Sequence, residues 1–278
     1  MTQSVDFVLL SDLHISHRAP ADAGLLTDTD ATLAEAVAAI AALDPQPAFV
    51  VMAGDLTNHG EPDAYRRLAG LLEDLQAPRV LALGNHDTRA GFRTVMLDEP
   101  GDAEAPYCHD QVIAGVHLIV LDSSIPGRIA GALGADQIAF LSEALGREHG
   151  LQKVIVCHHP PHVDAGEGGW HSLDAESSAR LADAIRGRNV AAILSGHVHF
   201  DSVIHWHGVP VVIGMGLHNA VDVTVRTTLR VVDGAGFILC RLRQSGLTAS
   251  FVPLPRSRRE LAIHDLGRLD ALDRTGAH

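Results

Sequence analysis

The four residues from 84 to 87, Gly-Asn-His-Asp, place an amide oxygen, an imidazole and a carboxylate at consecutive positions. They follow the apolar run 80–83, which predicts a buried strand of a mostly parallel sheet. Polar side chains at the carboxyl end of such a strand commonly belong to a site. Taken alone, the segment is equally consistent with an ordinary turn in which Asn85 and Asp87 bond their own backbone.

Four further apolar runs with the composition of buried strands also end in carboxylate or imidazole side chains. The polar residues at the five strand ends are Asp12 and His14, Asp55, Asn85 and His86, His158, and His197 and His199. Together they offer carboxylate, imidazole and amide ligands without a thiolate. This is the set expected for Mn, Fe or Zn in a reactive site rather than for a structural zinc site.

The elements that must position these residues predict an α/β fold. Apolar residues recur at helical spacing between the strands, after a cap at Thr29 or Asp30, from Pro62, over 135–149 and over 173–186. The chain is 46% hydrophobic but only 4% aromatic, so its core must consist of small aliphatic side chains, as in helices packed on sheets.

The sequence also makes predictions about the strands in the second half of the chain. Residues 112–121 are predicted to form one strand. After residue 202, short strands follow one another around His207-Gly208, Asp233-Gly234 and Ser245-Gly246, which predicts antiparallel hairpins.

The composition of the chain limits the kinds of partner and the cellular compartment that we expect. The formal net charge of -13 argues against a broad nucleic-acid-binding face, although bound cations can reverse the sign of a local field. Three cysteines without short spacing argue against a disulfide framework and favour a reducing cytoplasm. We expect an unexported protein without a membrane partner, because the sequence shows neither a leader pattern nor an apolar run of 18 residues.

The strand-end residues as a set resemble the calcineurin-like metallophosphoesterases, in the bacterial branch of cyclic-nucleotide phosphodiesterases and glycerophosphodiesterases (class III phosphodiesterases). The matching motifs are D-x-H at 12–14, G-D at 54–55, G-N-H-[DE] at 84–87, His158 after a strand, and G-H-x-H at 196–199. The resemblance covers residues 5 to 215. The sequence departs from the branch at 214–218, where a loop containing Ser or Thr is expected. The identity of the leaving group of the substrate is therefore not determined by the resemblance.

This resemblance implies a four-layer α/β/β/α sandwich of two mixed sheets flanked by helices, with a hairpin-rich C-terminal part. We predict a metallophosphoesterase domain over residues 1–252 and a C-terminal tail or surface helix over 253–278.

The resemblance further implies two metal ions, which could be Fe, Mn or Zn. Asp12, His14 and His199 are expected at one ion and Asn85, His158 and His197 at the other, with Asp55 between them. Such a pair of ions can share a hydroxide that attacks phosphorus in line with the leaving oxygen.

Histidines outside the predicted ligand set have two predicted roles. His86 is expected to stabilise the phosphoryl oxygens or to protonate the leaving alkoxide, with Asp87 fixing its imidazole tautomer. His59 and His218 are candidates for contact with the rest of the substrate, although a solvated loop histidine is the simpler explanation of each.

The predicted activity is metal-dependent hydrolysis of a small phosphodiester, either a 3′,5′-cyclic nucleotide such as cAMP or a glycerophosphodiester. The same fold and metals could instead serve a phosphomonoesterase, a pyrophosphatase or a nuclease. A non-catalytic scaffold is a third alternative, although the sequence retains every ligand position. The hairpin-rich C-terminal third could donate an edge to a second copy, so a homo-oligomer also stays open.

Overall fold

The computed structural model describes residues 4–98, 102–148, 150–163 and 169–255. The strands are β1 (Val5–Leu10), β2 (Val50–Ala53), β3 (Arg79–Ala82), β4 (His109–Ile113), β5 (Val116–Leu121), β6 (Gln152–Cys157), β7 (Val190–Ser195), β8 (Ser202–Trp206), β9 (Val209–Ile213), β10 (Ala220–Val221), β11 (Val231–Val232), β12 (Ala235–Arg243) and β13 (Gly246–Leu254). The helices are α1 (Thr29–Ala41), α2 (Pro62–Leu71), α3 (Arg89–Phe92), α4 (Ala135–Gly146) and α5 (Ala175–Ile185), with a π-helical turn at Arg93–Leu97 and a 3-10 turn at Gly169–His171.

These strands form two large mixed sheets and one small ribbon. The first sheet has the order β13-β12-β1-β2-β3, the second has the order β4-β5-β6-β7-β9-β8, and β10 pairs with β11. Strands β1, β2 and β3 run parallel, as do β5, β6, β7 and β9, so their carboxyl ends lie at one edge of each sheet.

The alternation of side chains along β1 shows how the layers are built. Phe7 and Leu9 pack between the two sheets, whereas Val8 and Leu10 pack on the opposite face, in the core formed with α1 and α2. A third core lies between the second sheet and the helices α4 and α5. Three apolar layers separate four layers of structure, so the predicted α/β/β/α sandwich is confirmed.

The helix starts follow from local hydrogen bonding. Pro62 begins α2, as predicted, at a position where a backbone N–H would have no partner in the helix. Helix α1 is capped by Asp28, whose carboxylate accepts from the Ala31 N–H at 3.0 Å, and the predicted cap at Thr29 or Asp30 is therefore wrong by one or two residues.

Two predictions about strands are corrected. Residues 112–121 do not form one strand, because Ala114 and Gly115, with φ of 51° and 80°, make a tight turn between β4 and β5. The Asp233-Gly234 pair does not close a hairpin, because β11 pairs with β10 while β12 pairs with β1 and β13. His207-Gly208 does join an antiparallel pair, β8 and β9.

The end of the last strand bears on the predicted domain boundary. Strand β13 continues to Leu254, two residues beyond the boundary predicted at residue 252. From residue 256 onward, the predicted tail or surface helix lies outside the residues that the structure describes. In the part of the chain that the structure describes, every helix is too short or too polar to span a membrane.

Candidate metal centre

The carboxyl ends of β1, β2, β3, β6 and β7 bring the sequence-predicted ligands together. Ligand atoms of three residues lie within 4.8 Å of one another in four overlapping sets: Asp12, His14 and His199; Asp12, Asp55 and His158; His14, Asp55 and His86; and His158, His159 and His197. Asn85 lies beside them, in the loop after β3. The sets share members, so the side chains form one continuous cluster between the two sheets.

Several atoms of this cluster are buried without a hydrogen-bond partner among the described residues. They are Nε2 of His14, Oδ1 of Asn85 and Nε2 of His158. Buried polar atoms are almost always paired, so three such atoms facing one carboxylate-containing cluster need an explanation. Each is a lone-pair donor of a type that binds Mn, Fe or Zn, and the cluster therefore fits a metal centre.

Asp55 lies at the middle of the cluster. Its Oδ2 lies 3.6 Å from Nε2 of His14 and 3.4 Å from Nε2 of His158. Its Oδ1 accepts from the His86 N–H at 2.8 Å, which fixes the carboxylate plane. Burial opposes ionisation, but the neighbouring His158 holds the pKa of Asp55 well below its usual range. Asp55 is thus an anionic carboxylate between two imidazoles, and its bridging role stays a prediction.

Backbone carbonyls fix the tautomers of three imidazoles. Nδ1 of His158 donates to the Ala53 carbonyl at 2.8 Å, and Nδ1 of His86 donates to the Asn58 carbonyl at 2.9 Å. Nε2 of His197 donates to the Trp170 carbonyl at 2.7 Å. A carbonyl can only accept, so in the neutral ring the other nitrogen is unprotonated. His197 consequently offers Nδ1. For His158 the nitrogen that faces the cluster is Nε2; although burial opposes the charge, Asp55 raises the pKa of His158 to about 9, so a metal ion would have to displace the proton on Nε2.

Asparagines contact Nδ1 of two further imidazoles of the cluster. Nδ1 of His14 lies 3.1 Å from Oδ1 of Asn58, and Nδ1 of His199 lies 3.2 Å from the Asn219 carbonyl oxygen and 3.1 Å from its Oδ1. Burial lowers the pKa of His14 well below its usual value, and it lowers that of His197 to about 3. Burial therefore favours the neutral form of His14 and His197, which is the form that binds metal ions.

Backbone strain is concentrated at the cluster. Five of the predicted ligands have positive φ: Asp12 at 51°, His14 at 48°, Asp55 at 49°, His197 at 77° and His199 at 54°. Non-glycine residues in this region cost on the order of 1 kcal/mol each, and they persist where the surrounding structure holds them for a function. The strained positions lie at the carboxyl ends of β1, β2 and β7, where the predicted ligands meet.

His159 belongs to one of the four sets but is not available as a ligand. Its Nδ1 is 2.7 Å from Oγ of Ser123, and its Nε2 is 2.8 Å from the Ile129 carbonyl oxygen. Both ring nitrogens are therefore already hydrogen-bonded. His159 supports the loop after β5 rather than the metal centre.

Asp87 has a different role from the one predicted. The expectation that it fixes the tautomer of His86 is wrong, because the Asn58 carbonyl accepts from His86 instead. The Asp87 carboxylate accepts from the backbone N–H groups of Leu56, Thr57 and Gly84 and from the hydroxyls of Thr57 and Tyr65. Burial, followed by the charge of Asp55, raises the pKa of Asp87 to about 6. Asp87 ties the loop after β2 to the loop after β3.

The two predicted substrate contacts lie in different surroundings. His59 is 40% exposed and lines a cavity beside Asn85 and His86, with its Nε2 2.9 Å from Oδ2 of Asp22. His218 is buried, and its Nε2 accepts from the Leu26 N–H at 3.0 Å while Nδ1 faces the Asn219 amide. Both substrate roles stay predictions, and only His59 faces this cavity.

Sequence reasoning missed the groups that orient the imidazoles. Asn58 contacts both His14 and His86, and its position three residues after Asp55 in the same loop was a usable signal. The Trp170 carbonyl and the Asp22 carboxylate had no such signal. The first is a backbone group, and the second lies 36 positions before Asn58, the residue through which it acts.

A four-layer fold with a cluster of His and Asp side chains between its sheets defines a class of metal-dependent hydrolases. The chain belongs to the calcineurin-like phosphoesterase family, whose model matches residues 5–201. It is 34% identical to a cAMP/cGMP dual specificity phosphodiesterase of Mycobacterium tuberculosis, over 90% of this chain and 80% of that protein. It is 29% identical to the glycerophosphodiester phosphodiesterase GpdQ of Enterobacter lignolyticus, over 62% of this chain and 63% of that protein.

Solved structures show the same fold. A dimetal phosphatase from Danio rerio superposes with a TM-score of 0.65 at 12% identity, covering 89% of this chain and 98% of that chain. The predicted family and the predicted reaction class, metal-dependent phosphodiester hydrolysis, are confirmed. The family implies a dinuclear site for divalent metals, which the His and Asp clusters fit.

Proposed function

We propose that the chain hydrolyses a 3′,5′-cyclic nucleotide such as cAMP. The observation that carries this proposal is a cavity of about 570 Å³ that opens directly beside Asn85 and His86. Its volume falls within the range of about 300 to 1,000 Å³ typical of small-molecule sites. Apolar Ile125 and Pro126 and polar Asn58, His59 and Ser124 line it, a mixture that suits a nucleoside.

The charges around this cavity favour a diester over a monoester. Arg89 is the one Lys or Arg among the described residues that line the cavity. Its guanidinium donates to the Asp122 carboxylate at 2.7 Å and to the carbonyls of Glu104 and Ser124 at 2.9 Å. With this cation neutralised, the cavity suits a singly charged diester better than a phosphomonoester dianion or pyrophosphate.

The proposed roles of the ligands follow the geometry of the cluster. Asp12, His14 and His199 would hold one ion and Asn85, His158 and His197 the other, with Asp55 between them. When bound, such ions lower the pKa of coordinated water and neutralise charge on the phosphoryl oxygens. The ligand set supports Mn, Fe or Zn as the metals.

His86 is the proposed proton donor to the leaving oxygen. It lies on the cavity wall, and its Nδ1 is held by the Asn58 carbonyl at 2.9 Å. The proton that it transfers is therefore the one on Nε2 of the imidazolium, after which the ring stays neutral with Nδ1 protonated.

A glycerophosphodiester is the second candidate substrate, because a relative with 29% identity is named a glycerophosphodiester phosphodiesterase. A panel of diesters on Mn-loaded protein separates the two, using cAMP, cGMP, 2′,3′-cyclic AMP, glycerophosphocholine and glycerophosphoethanolamine. We expect the highest kcat/KM for a 3′,5′-cyclic nucleotide. A higher value for glycerophosphocholine would support the second candidate, and faster cleavage of 4-nitrophenyl phosphate than of any diester would overturn both.

We also propose a cytoplasmic location. All three cysteines, at positions 108, 157 and 240, are unpaired. Free thiols persist in reducing compartments.

A further inference from the structure

His14 differs from most of the other imidazoles in how its tautomer is set. Backbone carbonyls, which can only accept, fix His86, His158 and His197, and one also contacts His199. Among the described residues, the hydrogen-bond partner of Nδ1 of His14 is the side-chain amide of Asn58, at 3.1 Å. An amide can turn by 180° and present N–H₂ in place of oxygen, so another group must hold it.

Asp22 is the group that holds this amide. Its Oδ2 accepts from Nδ2 of Asn58 at 3.2 Å, whereas Oδ1 of the amide faces His14. Nε2 of His59 also lies 3.1 Å from Nδ2 of Asn58, but it donates its ring proton to Asp22. If the amide turned, its oxygen would face the carboxylate at that distance, and two acceptors would repel each other. Asn58 is only 3% exposed, so water has little access to relieve the repulsion.

The carboxylate of Asp22 is itself firmly fixed. It accepts from the Ser16 hydroxyl at 2.6 Å, from the Gly24 N–H at 2.9 Å and from Nε2 of His59 at 2.9 Å. Although burial opposes ionisation, these hydrogen bonds hold the pKa of Asp22 well below its usual range. The group is thus a permanent acceptor in one orientation.

We infer that Asp22 is a positioning residue that sets the tautomer of His14 through Asn58. With the amide nitrogen held by Asp22, the amide oxygen faces His14 and requires the ring proton on Nδ1. Nε2 of His14 then keeps its lone pair toward the cluster, where it lies buried without a hydrogen-bond partner in the described part of the chain. The inference rests on the proposed role of His14 as a metal ligand.

The opposite orientation of the amide shows why the hydrogen-bond chain from Asp22 through Asn58 to His14 matters. Its nitrogen would donate to Nδ1 of His14, so the ring proton would move to Nε2. A protonated Nε2 cannot bind a cation, because the lone pair is occupied. Groups that orient a ligating histidine typically change metal affinity by about 10- to 100-fold when removed.

The first test is Asp22→Ala, studied in the metal-free and the Mn-loaded protein. Two-bond ¹H–¹⁵N correlation spectra of the metal-free protein report which nitrogen of His14 carries the proton. We expect Nδ1–H in the wild type and a substantial Nε2–H population in the variant, with about 10- to 100-fold weaker binding at one of the two Mn²⁺ sites. An unchanged tautomer and unchanged binding in a folded Asp22→Ala protein would overturn the inference.

Exchanging the side chains of Asp22 and Asn58 tests the hydrogen-bond chain to His14 itself. In Asp22→Asn/Asn58→Asp, the new carboxylate at 58 can only accept, so it requires Nδ1–H on His14 whichever way it turns. The new amide at 22 donates to it across the same 3.2 Å gap. We expect this exchange to restore the tautomer and most of the Mn²⁺ affinity. A merely structural role of Asp22 predicts no rescue from a change at Asn58.

Two controls complete the design. Asp28→Ala removes a carboxylate that caps α1, and it should leave both the His14 tautomer and Mn²⁺ binding unchanged. His14→Ala tests the proposed function separately. If it keeps two intact Mn²⁺ sites, the ligand role of His14 fails; if it loses one while Asp22→Ala keeps both, only the inference about Asp22 fails.

Discussion

Asn85 and His86 are adjacent in the chain but have different surroundings. Oδ1 of Asn85 is buried and has no hydrogen-bond partner within the ranges that the structure describes, as expected of a ligand atom. The backbone N–H of His86 donates to Asp55, and its Nδ1 is held by the Asn58 carbonyl. In the proposed mechanism, Asn85 binds a cation and His86 holds a proton.

Substitution of these two residues should separate the two tasks. Because Asn85 is a neutral ligand, Asn85→Ala should weaken one Mn²⁺ site, and excess Mn²⁺ should partly restore turnover. His86→Ala should retain both sites and lower kcat by about 10²- to 10⁴-fold, the usual contribution of an acid or base. Calorimetric Mn²⁺ titration together with steady-state kinetics measures both effects. Indistinguishable behaviour of the two variants would contradict the division.

At the scale of the elements, the junction between β3 and its loop depends on close packing against Asp55. A Cβ added at Gly84 would lie 2.2 Å from Oδ1 and 2.4 Å from the backbone nitrogen of Asp55. Neither atom can move without displacing the carboxylate at the centre of the cluster. A side chain is therefore excluded at this turn for reasons of space.

Gly84→Ala should destabilise the protein by about 1 to 3 kcal/mol and weaken Mn²⁺ binding, since overpacking must shift Asp55. Gly70→Ala is the matched control, because a Cβ there meets nothing within 4 Å and Gly70 lies inside α2. That change should stabilise by about 0.5 to 1 kcal/mol. Chemical denaturation and Mn²⁺ titration check both, and unimpaired metal binding by Gly84→Ala would count against the packing argument.

Strand β4 carries a histidine that links stability to pH. Burial lowers the pKa of His109 to about 4, and its Nδ1 is buried without a hydrogen-bond partner among the described residues. The folded state therefore binds fewer protons than the unfolded state between pH 6.5 and 4. The stability contributed by neutral His109 is fully present above pH 6.5 and is lost as the pH falls toward 4.

His109→Gln should remove this dependence. We expect the difference in unfolding free energy between wild type and variant to change by on the order of 2 kcal/mol between pH 7.5 and pH 4.5, in favour of the variant at the lower pH. Urea denaturation of the metal-free proteins at both pH values measures it. Parallel pH profiles would show that His109 does not contribute.

For the whole molecule, the candidate metal centre joins the two sheets. Asp12, Asp55 and Asn85 follow strands of the first sheet, whereas His158 and His197 follow strands of the second. Ions held by both sets would link the sheets in the folded state only. Metal binding and folding are consequently coupled.

Removal of metal should therefore lower the thermal stability. At free metal 100-fold above Kd, each site contributes about 2.7 kcal/mol, which corresponds to a fall in Tm of several degrees upon chelation. Calorimetry of the Mn-loaded protein with and without EDTA measures this shift. Asp55→Ala, which lacks the shared carboxylate, should show a much smaller shift; an equal shift would mean that the metal binds elsewhere.

Much of this organisation was accessible from the sequence because it is local. Apolar runs that end in Asp, His or Asn mark the strand ends, and their number and order predicted the family. The turn at Ala114 and Gly115 was missed because its residues differ from the usual Asn-Gly signal while the flanking pattern reads as continuous strand. The hydrogen bond from Nδ1 of His86 to the Asn58 carbonyl was missed because it joins segments 28 positions apart.

The sequence by itself determined which side chains could bind metal and the reaction class, since ligand type and spacing are properties of the chain. Only the tertiary structure decided which nitrogen each imidazole offers, because that depends on carbonyls and carboxylates from distant segments, such as Trp170 for His197. The same holds for Asp87, whose partners come from two loops rather than from the neighbouring His86. Side-chain orientation requires contacts between segments, and these exist only once the sheets have packed.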